Sequence, residues 1–480
     1  MKRKFLTNLA FLLLLNILVK PFWMFGIDRT IQNTVGAEEY GSYFSLFSFS
    51  ILINIILDLG ITNFNNRSIA GNVKLLPEYL SQIVPLKFML AVFYAVVCII
   101  TGIAIGYSEE QFSMLFLLIF NNFLLSFILY LRSNISGLHL FRTDSILSVM
   151  DRFLMIVICS FLLWGKFTDA PFRITWFIYA QTASYLLTMF LAMGIVLSRS
   201  GKISLQFSLN QVFGILRKSF PFAVLIFLMS IFNRVDSVMI ERILPDGKVQ
   251  AGIYAQAFRI LDAVSMFAFM FAGLLLPIFS RMIKHNEHVG QLISLCMALL
   301  MVPALSLVIL SSFYGNEMMS ALYTHHADIS SRIYTRLIFS FLFVSVTYIF
   351  GTLLTASGNL RQLNILAGIT VVINIILNLI LIPRYKAEGA AYASVVCQAF
   401  FAICQVILST KVFLLKPDYV SVLKYAGFVL LLIISGIIIE KLSIPWFNGF
   451  LLLSLLGIIL SWSLRIITPK GLYSIVRYGE

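Results

Sequence analysis

Long stretches of this sequence carry almost nothing but apolar side chains. Phe44–Leu57, Leu86–Ile105 and Phe428–Ile439 are near-continuous runs of this kind. About 20 such residues, wound as a helix, cross the hydrocarbon of a bilayer. Lipid offers no water to satisfy peptide groups, so only helices and closed barrels can span it. A barrel would show alternating segments of about 10 residues, and these runs do not alternate. The expected fold class is therefore an all-α polytopic membrane protein. Composition agrees, with 60% of the 480 residues hydrophobic and 12% charged, against about 25% charged in soluble domains. No polar stretch is long enough to fold into a soluble domain with an active site of its own.

Fourteen spans can be placed, at 5–27, 40–64, 83–106, 112–133, 146–165, 173–197, 219–243, 252–278, 290–312, 334–356, 362–382, 389–411, 424–440 and 446–467. Connections are short, and the longest are expected around 198–218 and 313–333. Lys2-Arg3-Lys4 before Phe5–Val19 could open a signal peptide. The apolar stretch is long for one and no small-x-small site follows it, so the reading is a first span. An even number of spans puts both termini on one side. With that side cytoplasmic, 22 of the 35 Lys and Arg fall inside, ten fall outside, and Lys20, Arg234 and Arg259 lie within spans. That asymmetry is the positive-inside pattern of a multi-pass membrane protein. It accounts for most of the net charge of +14, so no nucleic-acid partner is implied. The five cysteines, Cys98, Cys159, Cys296, Cys397 and Cys404, all fall in spans with no C-x-x-C pair. They read as small packing residues rather than disulfides or metal ligands.

A repeat is visible. Gly41-x-Tyr43-x-x-x-Phe47 opens the second span and Gly252-x-Tyr254-x-x-x-Phe258 the eighth, 211 residues later. Six spans, an even number, separate the copies, so both halves face the same way. This predicts two parallel six-helix bundles, 1–205 and 206–415, related by an axis along the membrane normal. Residues 416–480 form an added pair, helices thirteen and fourteen.

Charges inside a span are costly and usually face a cavity or each other. Lys20 precedes Pro21, which should bend span one. Asp58 lies in span two and Arg67 closes it. Span seven carries Arg234, Asp236 and Glu241, and span eight Arg259 and Asp262. Arg259 and Asp262, three apart, share a helix face, whereas Arg234 and Asp236 are about 200° apart. From the rise per residue, Lys20 lies roughly 24 Å beyond Lys4, Arg234 roughly 21 Å beyond Phe220 and Arg259 roughly 10 Å in from Gly252. Three basic residues thus reach similar depth, which suits an anionic head group. Structural ion pairs or snorkelling would explain each singly.

Other motifs carry less. His325-His326-x-Asp328, and His285 with His288, read as polar loops, and neither a metal site nor a cofactor is expected. No G-x-x-x-x-G-K-[ST] phosphate loop occurs. Asp28 could serve a membrane glycosyltransferase as base or metal ligand, but such enzymes need a sizeable outer loop, and none is predicted.

Three blocks resemble a known family. They are Thr34–Tyr43 running to Asp58, Gly60 and Asn66–Ala70; Arg234–Ile240 with Ala251–Tyr254 and Leu276–Ser280; and Leu377–Pro383 with Glu388–Ala391. Together, over nearly the whole chain, they are similar to Wzx-type O-antigen and capsule flippases. These belong to the multidrug/oligosaccharidyl-lipid/polysaccharide (MOP) exporter superfamily. The resemblance implies a MATE-like fold and no enzymatic chemistry. It implies translocation of an undecaprenyl-diphosphate-linked oligosaccharide by alternating access, driven by an ion gradient or the membrane potential. Lys20, Arg234, Arg259 and Arg67 would be counter-charges for the diphosphate. Asp58, Asp236, Asp262 and Glu241 would be coupling-ion sites or ion-pair partners. A polysaccharide polymerase and a chain-length regulator would be neighbours in the pathway.

Three other readings compete. A drug/cation antiporter of the same superfamily should put acids in its cavity. A lipid II flippase differs mainly in cargo. A membrane polysaccharide polymerase or glycosyltransferase is the alternative from another class.

Overall fold

In a computed structural model of the chain, the described residues are 14–16, 18–165, 170–200, 209–415 and 418–467. The Lys2-Arg3-Lys4 opening, the loop residues 201–208 with the 205/206 boundary, and the C-terminal basic residues lie outside them. Among the described residues there is no strand, and twelve helical stretches are long and apolar enough to cross a membrane. Two of these, Leu14–Leu57 and Leu360–Phe413, are 44 and 54 residues long. Each contains one residue with non-helical backbone, Gly36 (φ 81°, ψ 172°) in the first and Lys386 (φ 53°, ψ −137°) in the second. Counted on either side of these breaks, the twelve stretches become the fourteen spans expected from the sequence.

Packing divides the chain into two compact units, 1–242 with 246–252, and 253–480 with 243–245. The first unit begins with helical turns that pass Pro21 into a π-helix, Phe22–Asp28. Pro21 lacks an amide proton, and the chain answers with one wide turn rather than a simple bend. Then follow α1 (Arg29–Ile53), a 3₁₀ turn (Asn54–Leu57), α2 (Ile61–Gly71), α3 (Leu76–Ile105), α4 (Glu109–Gly137), α5 (Phe141–Trp164), α6 (Ile174–Ser200) and α7 (Leu209–Ile243). The expected span two is therefore not one helix. Leu59 (φ 46°) and Gly60 (φ 85°) take left-handed backbone between the 3₁₀ turn and α2. α4 lies between α2 and α6. Ile61, Ile69, Ile83, Phe127, Leu131 and Ile135 make the buried core there. Ser108 and Gln111 close a capping box at the start of α4.

The first turn of α8 (Gly247–Lys284) belongs to the same unit. There the repeat glycines meet. A Cβ on Gly41 would overlap the carbonyl oxygen of Lys248, and one on Gly252 would overlap that of Ala37. Ala37 and Lys248 are separated by the same 211 residues as Gly41 and Gly252. The contact is thus reciprocal, as two-fold related surfaces require. Glycine is needed here because backbone meets backbone with no room for a side chain.

The second unit holds the rest of α8 with α9 (Gly290–Leu322), α10 (Ala327–Leu337), α11 (Ser340–Ala356), α12 (Leu360–Phe413), α13 (Tyr419–Lys441) and α14 (Trp446–Ser463). The expected loop at 313–333 is mostly helix, because α9 runs on to Leu322 and only 323–326 connect it to α10. His326 is the left-handed N-cap of α10, and the carbonyl of His325 accepts a hydrogen bond from Gln256. α13 and α14 pack on α9 through Leu432, Leu453, Val302 and Ile309. Gly436 leaves room for Phe313, and Gly449 for the Tyr314 hydroxyl. In lipid, where apolar burial drives little association, such close fits hold helices together.

Asp418 caps α13. Its Oδ1 accepts the Ser421 amide at 3.0 Å and its Oδ2 the Ser421 hydroxyl at 2.6 Å. These bonds to Ser421 hold the carboxyl below its ordinary range. Asp418→Ala is expected to cost about 1 kcal/mol, the usual worth of an N-cap, read as a lower midpoint in thermal unfolding. Because the folded-state pKa is depressed, the cap's contribution is present above the unfolded-state pKa. It fades as pH falls through the folded value.

Candidate functional site

Lys20, half-buried just before the π-helix, is the first of the expected basic residues. Arg152, Asp151 and Arg132 stand close enough to act on its charge. Arg152, on α5, was not among the expected site residues. Its charge reads from sequence as belonging to an inner helix end, yet the side chain reaches into the unit's interior. The guanidinium lies 5.6 Å from the centre of the Trp23 ring. It stands 3.5 Å from the Tyr185 hydroxyl and 3.7 Å from an Asp151 oxygen. Arg132 is held by Asp144 at 2.8 Å. Three basic side chains, Lys20, Arg152 and Arg132, are thus gathered in this region.

Arg152 also lines a cavity of about 90 Å³ with Asn54, Asn121, Asn122, Gln181 and Tyr185. The amides are fixed in place. Gln181 donates to Tyr43 at 2.8 Å, Asn122 to Ser50 at 2.9 Å, and Thr182 to Asn121 at 2.8 Å. Aromatic rings, amides and an arginine together offer stacking faces, two-way hydrogen bonds and a planar anion-binding fork. A larger cavity, about 620 Å³, lies between α1, α3 and α7 and is lined by Phe49, Ile53, Ile56, Phe227 and Val235 among others. It is apolar and offers nothing to a head group.

The other expected residues fall elsewhere. Asp58 pairs with Lys87 at 2.7 Å, and the lysine side chain is 1% exposed. Sequence alone places Lys87 with the inner-end charges. In α3 it is instead buried, within the third span. Glu241 accepts from Ser45 at 2.7 Å and Gln111 at 2.5 Å and pairs with Arg242 at 3.3 Å. Arg242 in turn donates to Gln111 at 2.7 Å and lies 4.3 Å from the centre of the Tyr107 ring. Glu241 thus ties the C-terminal end of α7 to α1 and α4. Asp236 is buried and Arg234 half-buried on α7, while Arg259 and Asp262 are half-buried on α8 within the second unit. The Arg67 side chain lies outside the described residues. Asp28, the one acid considered for catalysis, is 2% exposed and accepts from Tyr40 at 2.9 Å and Gln32 at 3.2 Å. It lies buried at the end of the π-helix.

In the second unit, Glu388 pairs with Arg336 at 3.0 Å and with Arg332 at 3.5 Å. Arg336 also lies 5.2 Å from the centre of the Tyr392 ring. This cluster fastens α10 to α12 just past the break at Lys386.

Known proteins resemble the chain in architecture more than in sequence. No curated protein matches it in sequence. Among solved structures, a lipid II flippase MurJ in an inward closed conformation matches with a TM-score of 0.71 at 17% identity, over 96% of this chain and 100% of that one. An inward-facing multidrug resistance MATE transporter of the MOP superfamily matches with a TM-score of 0.61 at 14% identity, over 81% and 94%. A MOP superfamily transporter from Pyrococcus furiosus, described as having a binding pocket of reverse polarity, matches with a TM-score of 0.55 at 14% identity, over 85% and 93%. At such identities these likenesses establish the MOP fold. The family described as polysaccharide biosynthesis protein matches residues 5–283, more than half of the chain. The chain therefore belongs to the polysaccharide biosynthesis protein family.

Proposed function

We propose that this protein is a flippase for an undecaprenyl-diphosphate-linked oligosaccharide, moving it from the cytoplasmic to the periplasmic leaflet of a bacterial inner membrane. The observation that carries the reading is the basic interior of the first unit. Arg152 stands beside buried amides and aromatic rings inside membrane-spanning helices, with Lys20 and Arg132 near enough to share its field. Burying that much charge and amide in a membrane protein has a cost, and an anionic, sugar-bearing cargo gives it a purpose. A diphosphate with sugars cannot cross hydrocarbon unaided. Arginine offers its phosphate oxygens paired N–H bonds, and the amides suit hydroxyl groups. The polyprenyl tail would remain in lipid throughout. No bond need be made or broken.

Movement would follow alternating access between the halves 1–205 and 206–415, with 416–480 as an accessory pair and both termini cytoplasmic. Arg234, Arg259 and Arg67 would supply further counter-charge. Coupling to an ion gradient or the membrane potential would fall to one of Asp58, Asp236, Asp262 and Glu241, of which Asp58 is held by Lys87 and Glu241 by Arg242. In O-antigen or capsule assembly, a polymerase and a chain-length regulator would act on the delivered unit.

A deletion strain tests this. Lipid-linked oligosaccharide should accumulate on the cytoplasmic leaflet. Its accumulation on the periplasmic leaflet as single unpolymerised units would instead identify a polymerase and sink the reading. The fold match to a lipid II flippase favours one second reading, in which lipid II is what accumulates. An antiporter would accumulate neither.

A further inference from the structure

The Lys87–Asp58 pair in the first unit, its lysine buried and its aspartate half-buried, has the shape of an ion site. Between the 3₁₀ turn and α2 the helix opens, with Leu59 and Gly60 in left-handed backbone. The Leu57 carbonyl is thereby turned to side chains. Lys87 Nζ approaches that carbonyl at 2.8 Å, Asp58 Oδ1 at 2.7 Å and Ser126 Oγ at 3.1 Å. All three ammonium protons thus have an oxygen partner. The Ser126 hydroxyl lies 3.1 Å from the same carbonyl, and Thr62 donates its amide to Asp58 Oδ1 at 3.2 Å. A freed backbone carbonyl, a carboxylate and a hydroxyl at a helix break are the ligands with which membrane transporters hold monovalent cations.

We propose that this oxygen shell is a monovalent-cation site whose cation is built into the chain as the Lys87 ammonium. The tethered charge holds the break in one geometry and occupies Asp58 permanently, so no diffusible ion is exchanged there. Removing the ammonium while leaving the oxygens should open the site to an ion from solution. The N···O distances are nearer to potassium–oxygen than to sodium–oxygen separations, so potassium should fill it better than sodium. The inference stands on unit 1 alone and does not depend on the cargo.

The test is thermal unfolding of the purified full chain in KCl, NaCl and choline chloride at equal ionic strength. The variants are Lys87→Ala, Lys87→Met and the double Lys87→Ala/Asp58→Asn. Lys87→Ala should unfold at lower temperature than wild type in choline. Potassium should raise its midpoint saturably, by about 3 °C at a hundredfold excess over its Kd, and sodium should do so less. The wild-type chain sets the background response. Lys87→Met fills the space without charge, so it should be destabilised and show no potassium response beyond that background, and neither should the double variant. If Lys87→Ala is too unstable to purify in choline, its yield on extraction in KCl against choline reads the same difference. Equal behaviour of Lys87→Ala in all three salts, no yield in any of them, or a potassium response that survives in the Met or double variant would overturn the proposal.

Discussion

Gly41→Ala is expected to destabilise the protein by about 3 kcal/mol, and Gly41→Leu to leave little folded protein. Overpacking usually costs about 1–3 kcal/mol because neighbouring side chains give way. Here the neighbour is the Lys248 carbonyl, which is backbone, so the helices themselves must part. Gly252→Ala should cost about the same, because its Cβ meets the Ala37 carbonyl in the mirrored contact. The double alanine variant should cost well under the sum of the two, since one substitution already separates the surfaces the other would strain. Thermal unfolding in detergent measures all three. Single variants within a degree of wild type, or strict additivity, would show that the crossing is loose.

Arg152→Ala is expected to abolish most transport while leaving the fold intact. A charge-assisted hydrogen bond to an anion is worth about 1.5–3 kcal/mol, which corresponds to a loss of roughly 10- to 150-fold. Lys20→Ala should act in the same direction. Arg132→Ala should act less through cargo binding and more through stability, because its guanidinium is already spent on Asp144. Accumulated lipid-linked oligosaccharide in cells carrying each variant, set against expression level, reads the effect. Full transport with Arg152→Ala would mean the guanidinium serves only contacts within the unit, such as those to Trp23, Tyr185 and Asp151.

Much of the architecture was legible in sequence because the bilayer enforces it. A run of about 20 apolar residues has few alternatives in lipid, so among the described residues the expected spans are largely helical. What escaped was local. Nothing in the run through Ile55 and Ile56 announces a 3₁₀ turn, and only Gly60 hints at the break. Lys87 and Arg152 were read as inner-end charges because lysine and arginine near span ends usually snorkel. A signal was available for Lys87. It follows Pro85 inside an apolar run, and Asp58 offers the opposite charge in the adjoining span. For Arg152 the only hint was its depth beyond Arg142. The Glu241 network was beyond sequence reading, since Ser45 and Gln111 come from spans far apart in the chain. The repeat was different in kind. Two glycines 211 residues apart carried a weak echo in sequence, and in the fold they touch.

The π-helix at Phe22–Asp28 has a consequence for the charge that precedes it. A wide turn holds one residue more than the α-helix that would replace it. Its C-terminal end is pinned, with Asp28 held by Tyr40 and Gln32. Lys20 lies just before its N-terminal end. Tightening the wide turn to ordinary helix would advance everything before it by one residue, a rotation of about 100° and a shift of about 1.5 Å. The segment is in effect a register counter. It can change which residue occupies the place beside Arg152, Lys20 or its neighbour Pro21, without tilting the span or breaking its peptide ladder.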